Sequence, residues 1–462
     1  MTKDLTQGSP LSLILGFSVP ALLGYLFQQF YNLVDIVIVG KFLGIDALAA
    51  VGSTGSVNFL IIGFVTGLCS GLSIPIAQKF GAKDYRTMRQ FVANAGYLSV
   101  IFSFFMTAVT VIFCRPLLIL MLTPHNILDR AANYILIIFY GIPFVFLYNV
   151  VSGIIRAMGD SKTPVYFLLF SSVINIGLDL FFICLLHTDV EGASLATVIS
   201  QAAAGVVCLL YMKKKFKILN MTKDDRRIRT HHFTTLCGTG VPMGLQYSIT
   251  AVGTVVLQAA VNTLGSGAVA AITAGSRIGA FFCTPFDALG TTMATYAGQN
   301  TGAGKLDRLK TGMYSSNALG FAYSVLAFLV MLFFGKELTM LFLNKAKVSI
   351  LEQSQLFLIV NSASYILLTM VNVIRFTIQG MGFSKFAIYA GVLEMFARSF
   401  IGIVFVPIFG FAGACFASPA AWLFADFFLV PAFYVCLNKL RLWEEKHDVR
   451  RRKTPDPKAS RK

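Results

Sequence analysis

Twelve long apolar stretches divide this chain of 462 residues. They run roughly over 11–39, 51–76, 91–113, 131–153, 165–186, 190–212, 236–261, 268–296, 312–334, 352–374, 386–408 and 412–437. Each is about 20 residues or longer, the length at which an α-helix crosses the hydrocarbon of a bilayer. A backbone in lipid must satisfy its own polar groups, and segments of this length do so as helices rather than as the alternating ten-residue strands of a barrel. Only 13% of the residues are charged, against 56% hydrophobic. That charged share is about half the norm for a soluble domain. The expectation is an all-α integral membrane protein with twelve transmembrane helices.

The chain also repeats itself, at a period of about 221 residues. Val19-Pro20 returns as Val241-Pro242, and Gly44-x-x-Ala47-Leu48-Ala49-Ala50 as Gly265-x-x-Ala268-Val269-Ala270-Ala271. Gln78-x-x-Gly81-Ala82 returns as Gln299-x-x-Gly302-Ala303, Met158-Gly159-x-Ser161-Lys162 as Met381-Gly382-x-Ser384-Lys385, and Gly192-Ala193 as Gly413-Ala414. The matches keep their order and nearly constant offset. Each half holds six helices, an even number, so both enter the membrane from the same side. They are parallel repeats related by a pseudo-twofold axis along the membrane normal, a plan used by one class of transporter. The domains expected are an N-terminal six-helix lobe (1–212), a basic linker (213–235), a C-terminal six-helix lobe (236–437) and a basic tail (438–462).

The net charge is +17. Nucleic acid is excluded as its cause by placement, because most Lys and Arg fall before the first helix, in the even-numbered loops or in the tail. The odd-numbered loops hold Lys41, Arg115, Arg130, Lys336, Lys345 and Lys347, while Arg277 and Arg398 lie within helices. This positive-inside bias predicts a multi-pass protein of the cytoplasmic (inner) membrane, with both termini and the linker cytoplasmic and in contact with anionic lipid. No cleavable leader is expected, since the polar start runs into a segment too long for one. The eight cysteines show no metal-ligand spacing and read as packing residues. There is no nucleotide-binding GxxxxGK[ST] and no HExxH or GxSxG. The five histidines lie in loops or the tail, without the constellation a membrane-embedded acyltransferase needs, so the chain is not read as an enzyme.

Against this apolar background the buried polar residues stand out. A carboxylate at mid-membrane costs about 2.5–3.5 kcal/mol or more and is read by default as functional. The first helix carries Gln28, Tyr31, Asn32 and Asp35 at spacings of three and four, hence on one face. The fifth carries Asn175 and Asp179, four apart, and the sixth Thr197. Two carboxylates, an amide and a hydroxyl suit oxygen coordination of Na⁺ or a proton shared between Asp35 and Asp179. Interhelical hydrogen bonding is the structural alternative. The second half has Leu257 or Gln258 where the first has Asp35. It offers instead Gln246, Thr250, Thr254 and Gln258 on the seventh helix, and Asn361, Tyr365, Thr369 and Asn372 on the tenth, as a wall for a substrate cleft. Asp287 beside Pro285 is a further cleft candidate, and Glu394 and Arg398, four apart, are expected to neutralise each other.

With these residues in place, the chain resembles the multidrug and toxic compound extrusion (MATE) transporters over nearly its whole length. The resemblance rests on Gly40-x-x-x-Gly44-x-x-Ala47-Leu48-Ala49-Ala50, on Arg156-Ala157-Met158-Gly159-Asp160-Ser161-Lys162-Thr163-Pro164, and on Gly298-Gln299-Asn300-x-Gly302-Ala303-Gly304. It implies a V-shaped pair of lobes that exports substrate on a Na⁺ or H⁺ gradient. In the DinF-like branch an Asp on helix 1, an Asn and an Asp on helix 5 and a Thr on helix 6 form the coupling site. Those types stand here at Asp35, Asn175, Asp179 and Thr197, and the proline that bends helix 1 matches Pro20. The NorM-like branch adds a Glu on helix 7 and an Asp on helix 10, and neither is present here, which favours the DinF-like reading.

The expected function is therefore a cation-coupled antiporter, monomeric and without organic cofactor, that exports amphipathic, drug-like organic cations by alternating access. The expected substrate cavity draws on Gln28, Tyr31, Asn32, Gln246, Thr250, Gln258, Asp287, Tyr365 and Asn372. The alternative is a lipid-linked oligosaccharide flippase of the same superfamily, whose pyrophosphate cargo calls for more cationic residues in the cleft than Arg277 and Arg398 provide.

Overall fold

The structure, a computed structural model, describes residues 3–121, 123–341 and 348–453. Every regular element among the described residues is helical. Ten helices are long and apolar enough to cross a membrane, and two pairs bent by 45° and 48° supply the remaining spans. The spans are α1 (Pro10–Phe42), α2 (Asp46–Gly81), α3 (Tyr85–Leu120), α4 (His125–Tyr140 with Ile142–Ala157), α5 (Lys162–Leu185) and α6 (Val190–Lys215). The second set is α7 (Thr230–Asn262), α8 (Ser266–Gly302), α9 (Leu306–Met340), α10 (Val348–Ala363 with Tyr365–Gly380), α11 (Lys385–Cys415) and α12 (Ala417–Lys446).

Residues repeated in the sequence recur as repeated geometry. Gly44 and Gly265 both take φ near +90° (88° and 94°), a left-handed turn that a side chain would strain, just before α2 and α8. The bends of α4 and α10 fall at Gly141 and Ser364; α5 closes in a π-helical turn at Phe181–Leu185, and α11 carries one at the matching place, Ile401–Phe405, before its final segment. Within the first six spans α1 packs on α5, α2 on α4 and α4 on α6; within the last six α7 packs on α11, α8 on α10 and α11 on α12. These are two six-helix lobes. Lys345 and Lys347, and the tail beyond residue 453, lie outside the described residues.

The lobes meet along α2 and α7 and at the ends of α2 and α8. Small residues let the backbones touch, as membrane helices require in the absence of a hydrophobic drive between them. A methyl on Gly71 would fall 2.5 Å from the Gly240 Cα. At the basic end, where the even-numbered loops lie, the contact becomes reciprocal. A Cβ on Gly81 would sit 1.9 Å from the Gln299 carbonyl oxygen, and one on Gly302 would sit 1.7 Å from that of Gln78. The two glutamine side chains cross as well: Gln299 Nε2 donates to the Ala157 carbonyl at 2.9 Å, and Gln78 Nε2 to the Gly380 carbonyl at 3.0 Å. Ala157 and Gly380 are the last residues of α4 and α10, whose final carbonyls have no partner within their own helices. The repeated Gln-x-x-Gly is thus a two-fold clasp.

The N-terminal strand threads through this clasp. Gln299 Oε1 accepts from Leu5 N at 2.9 Å, Lys305 Nζ donates to the Thr6 carbonyl at 2.8 Å, and Arg308 Nη2 to the Gly8 carbonyl at 2.9 Å. The linker between lobes is pinned to the start of α3 through Arg89 to Asp225 (2.9 Å) and Arg229 N to Asn94 Oδ1 (3.1 Å). Burial works against ionised Asp225, yet the bonds from Thr222 N and Arg89 outweigh it and hold the carboxyl below its ordinary range. Elsewhere the lobes also meet through a ring contact, Phe30 of α1 on Phe281 of α8, 5.6 Å between centroids.

Two loop assignments are corrected. Arg156 closes α4, and Arg375 lies inside α10 with 5% exposure; the sequence reading ended these helices at 153 and 374. Apolarity falls off before the helix does, because Arg375 is paired inside the protein and Arg156 lines a cavity, so neither needs to be apolar.

The clasp predicts that Gly302→Ala forces the lobes apart at the basic end. Overpacking of this kind costs about 1–3 kcal/mol. The unfolding midpoint in detergent is expected to fall, and a Leu5→Cys reporter, fully buried in the parent, to become reactive to maleimide; an unreactive reporter with an unchanged midpoint contradicts the clasp.

Candidate functional site

α1 passes between the lobes. Its first turns bury Leu13, Ile14 and Phe17 in the core of the second lobe, while Ile38 and Val39 near its other end join the core of the first. Pro20 lies between the two regions, and the helix runs unbroken through it. Beyond Pro20 the polar face of α1 turns into the first lobe.

There the structure brings the four sequence candidates together. Asp35 (8% exposed) faces Asp179 (fully buried) within hydrogen-bonding reach. With its amide turned to satisfy both neighbours, Asn175 donates to Asp179 Oδ2 at 3.1 Å and accepts from Thr197 N at 3.2 Å, joining α5 to α6. Tyr31, one turn before Asp35, directs its hydroxyl at Thr197 Oγ1, 3.5 Å away. One oxygen of each carboxylate, Oδ1 of Asp35 and of Asp179, is buried with no hydrogen-bond donor among the described residues. Two adjacent carboxylates cannot both stay charged there without a proton or a cation between them. The donors are all oxygen, which suits H⁺ or Na⁺ and not a thiolate- or imidazole-seeking metal. No cluster of three or more His, Cys, Asp or Glu for such a metal occurs among the described residues.

Below this cluster, towards the basic end, lies a cavity of about 160 Å³. It is bounded by α1, α2, α4, α5 and α6, with Tyr247 of α7 and Thr291 of α8 closing it from the other lobe. Gln28 and Tyr31 line it, and so does Arg156. Tyr31 therefore belongs to both places, touching Thr197 above and the cavity below.

The other cavity candidates are placed differently. Asn32 is exposed and does not line the cavity. Gln246 is buried and accepts from Gln379 Nε2 at 2.9 Å, binding α7 to α10. Thr250 is bonded back to the Gln246 carbonyl, and Gln258 to Asn262 of its own helix. Tyr365 packs between the rings of Phe286 and Trp422 and is 2% exposed, inside the second lobe rather than on its wall. Asn372 donates to Asp287 Oδ1 at 3.3 Å, and Asp287 itself is exposed.

The second lobe holds more charge than the sequence reading found. Arg398 Nη1 pairs with Glu394 Oε2 at 3.3 Å, as the spacing predicts, and Arg375 of α10 takes the other oxygen, Glu394 Oε1. Asp426 of α12, in the same neighbourhood and 5% exposed, has neither oxygen hydrogen-bonded among the described residues. Asp426 was legible as a lone acid in the apolar run Trp422 to Val430; Arg375 was hidden by the helix boundary.

Comparison with known proteins places this geometry. The family model described as MatE matches residues 20–181 and 242–415, one block in each lobe. The chain is 31% identical over 373 residues to the "Probable multidrug resistance protein YoeA" of Bacillus subtilis (strain 168), covering 79% of this chain and 80% of that one. It is 25% identical over 356 residues to the "FAD transporter" of Shewanella oneidensis, covering 76% and 78% of the two chains. A solved structure described as the outward-facing conformation of a multidrug resistance MATE family transporter superposes with a TM-score of 0.89 at 22% identity, covering 95% of this chain and 98% of that one.

The charge chain of the second lobe gives a stability prediction. Glu394→Gln removes the carboxylate paired with both Arg375 and Arg398, and breaking a buried pair by removing one partner costs about 3–5 kcal/mol. A fall of the unfolding midpoint of detergent-solubilised protein checks it; an unchanged midpoint means the three groups are not a buried unit.

Proposed function

Since the chain belongs to the MatE family of membrane transporters, we propose that it is a secondary exporter of amphipathic organic compounds, organic cations among them, driven by H⁺ or Na⁺ moving the other way. The observation that carries this reading is the joined pair of sites in the first lobe. Asp35, Asn175, Asp179 and Thr197 are drawn together from three helices, and Tyr31 connects them to the cavity.

The proposed cycle follows from the chemistry of that pair. A proton or Na⁺ arriving between Asp35 and Asp179 removes the repulsion between them and draws α1 towards α5 and α6. Tyr31 moves with α1, so the cavity shrinks against its ligand. Pro20 supplies no backbone N–H to the turn before it, which makes α1 easiest to bend there. That point lies between the part of α1 held by the second lobe and the part held by the first. Exchange is driven because ion and substrate prefer different shapes of one lobe. The acids of the second lobe lie away from the positions used in the NorM-like branch, which supports the DinF-like mode of coupling.

In this reading residues 1–212 and 236–437 are the moving lobes, 213–235 the linker and 438–462 the tail. The basic end is cytoplasmic, so the clasp closes the cytoplasmic side of a monomer in the cytoplasmic membrane.

Reconstitution in proteoliposomes tests the mechanism. Asp35→Asn and Asp179→Asn are each expected to reduce gradient-driven dye efflux to the rate of protein-free vesicles, with the folded protein recovered in normal yield. Efflux by Asp35→Asn that still follows an imposed pH or Na⁺ gradient overturns it. Imposing the two gradients separately on the parent protein identifies the coupling ion.

A further inference from the structure

Arg156 is a cation inside the membrane protein with no counter-ion among the described residues. It ends α4, is half-buried, and lines the cavity of the first lobe. No carboxylate lies within 4.0 Å of it among the described residues. The carboxylate nearest in sequence, Asp160, is turned to the start of α5, where it accepts from Lys162 N (3.1 Å), Thr163 N (3.0 Å) and Thr163 Oγ1 (2.8 Å). Every other residue lining the cavity is uncharged, and four of them are tyrosines: Tyr25, Tyr31, Tyr148 and Tyr247. An ionised side chain in such a place is expensive unless something pairs with it.

The repeat makes the point sharper. The position equivalent to Arg156, at the offset set by Met158 and Met381, is Gln379. Gln379 is fully buried and spends its side chain on Gln246. The second lobe therefore uses this position to hold its own helices together. The first lobe keeps a guanidinium there that lines the cavity and has no carboxylate partner among the described residues.

We propose that Arg156 is an anion-binding subsite of the cavity, taking the carboxylate, phosphate or sulfonate of an aromatic organic anion whose rings lie against Tyr25, Tyr148 and Tyr247. A planar guanidinium binds such groups through two parallel N–H donors, and tyrosine rings supply flat apolar contact beside it. The site widens the expected substrates from organic cations to aromatic anions and zwitterions. It rests on the export reading only in treating the cavity as a substrate site.

Equilibrium binding separates the two claims, because it needs no gradient. The measurement is fluorescence anisotropy of two xanthene dyes, anionic 5-carboxyfluorescein and cationic rhodamine 123, with purified full-length protein in a nonionic detergent. The parent is expected to bind both. Arg156→Gln is expected to weaken carboxyfluorescein binding by about ten-fold or more, the value of a charge-assisted bond, while rhodamine 123 binding changes by less than a factor of about two. Arg156→Lys keeps the charge and is expected to fall between. Thermal unfolding confirms that the variants are folded. Absence of carboxyfluorescein binding to the parent, or equal loss of both dyes in folded Arg156→Gln, overturns the proposal. So does displacement of carboxyfluorescein by added phosphatidylglycerol, which would make a lipid headgroup the partner of Arg156. Gradient-driven efflux that persists in Asp35→Asn counts against the coupling mechanism alone and leaves the dye-binding result for Arg156→Gln standing.

Discussion

Two backbone contacts, Gly81 on the Gln299 carbonyl and Gly302 on that of Gln78, decide how the halves of this molecule can sit together. Neither tolerates a single added carbon. The side chains of the same two glutamines then occupy the free carbonyls that end α4 and α10. One short motif, copied once, therefore supplies both halves of a seam, and each copy completes the other. The bonds across it are neutral, worth about 0.5–1.5 kcal/mol apiece net. A seam built from buried ion pairs would be far harder to open. The packing is exact and the bonds are weak, so the seam is held by shape more than by bond strength.

α1 gains its importance from this seam. Its start is buried in the second lobe and its end in the first, so any change in lobe angle must be absorbed along its length. Pro20 falls where the allegiance changes. The helix is nevertheless continuous here, with Asp35 and Tyr31 packed onto α5 and α6. A proline lowers the resistance to bending without imposing a bend, since only one hydrogen bond is missing.

Much of the fold could be read from the sequence, and what could not has a common cause. The twelve apolar stretches correspond to the twelve spans, and the repeated glycines recur as repeated turns, because lipid exposure and positive φ leave direct marks on residue choice. The polar residues Asp35, Asn175, Asp179 and Thr197 were legible one helix at a time, but that they meet was implied only by the family resemblance, because spacing along one helix does not say which helices touch. The cavity wall of the second lobe was not. Gln246 and Tyr365 have the composition of a cleft surface but are spent on helix-to-helix contacts, and periodicity shows which residues share a face without showing what the face meets. Arg156 and Arg375 were hidden because hydropathy measures contact with lipid, while Arg156 lines a cavity and Arg375 is buried against Glu394. The spacing Gly63-x-x-x-Gly67-x-x-x-Gly71 against Gly240-x-x-x-Gly244 was an available signal for the α2–α7 crossing.

The pattern of divergence between the lobes follows from the same constraint. Positions where backbone touches backbone, such as Gly81 and Gly302, stayed identical, because any side chain there breaks the seam. Positions whose side chains face inward were free to differ once the scaffold was doubled. So Asp35 has no acidic counterpart on α7, and Arg156 is answered by Gln379. Glu394 is paired with both Arg375 and Arg398 in the second lobe, with Asp426 close by, while in the first lobe, among the described residues, Arg156 lines the cavity with no carboxylate within 4.0 Å. A charge already paired within the protein has little reason to exchange its partner. In the first lobe Arg156 and Tyr31 line one cavity, and Tyr31 also reaches Thr197, next to Asn175 and the Asp35–Asp179 pair.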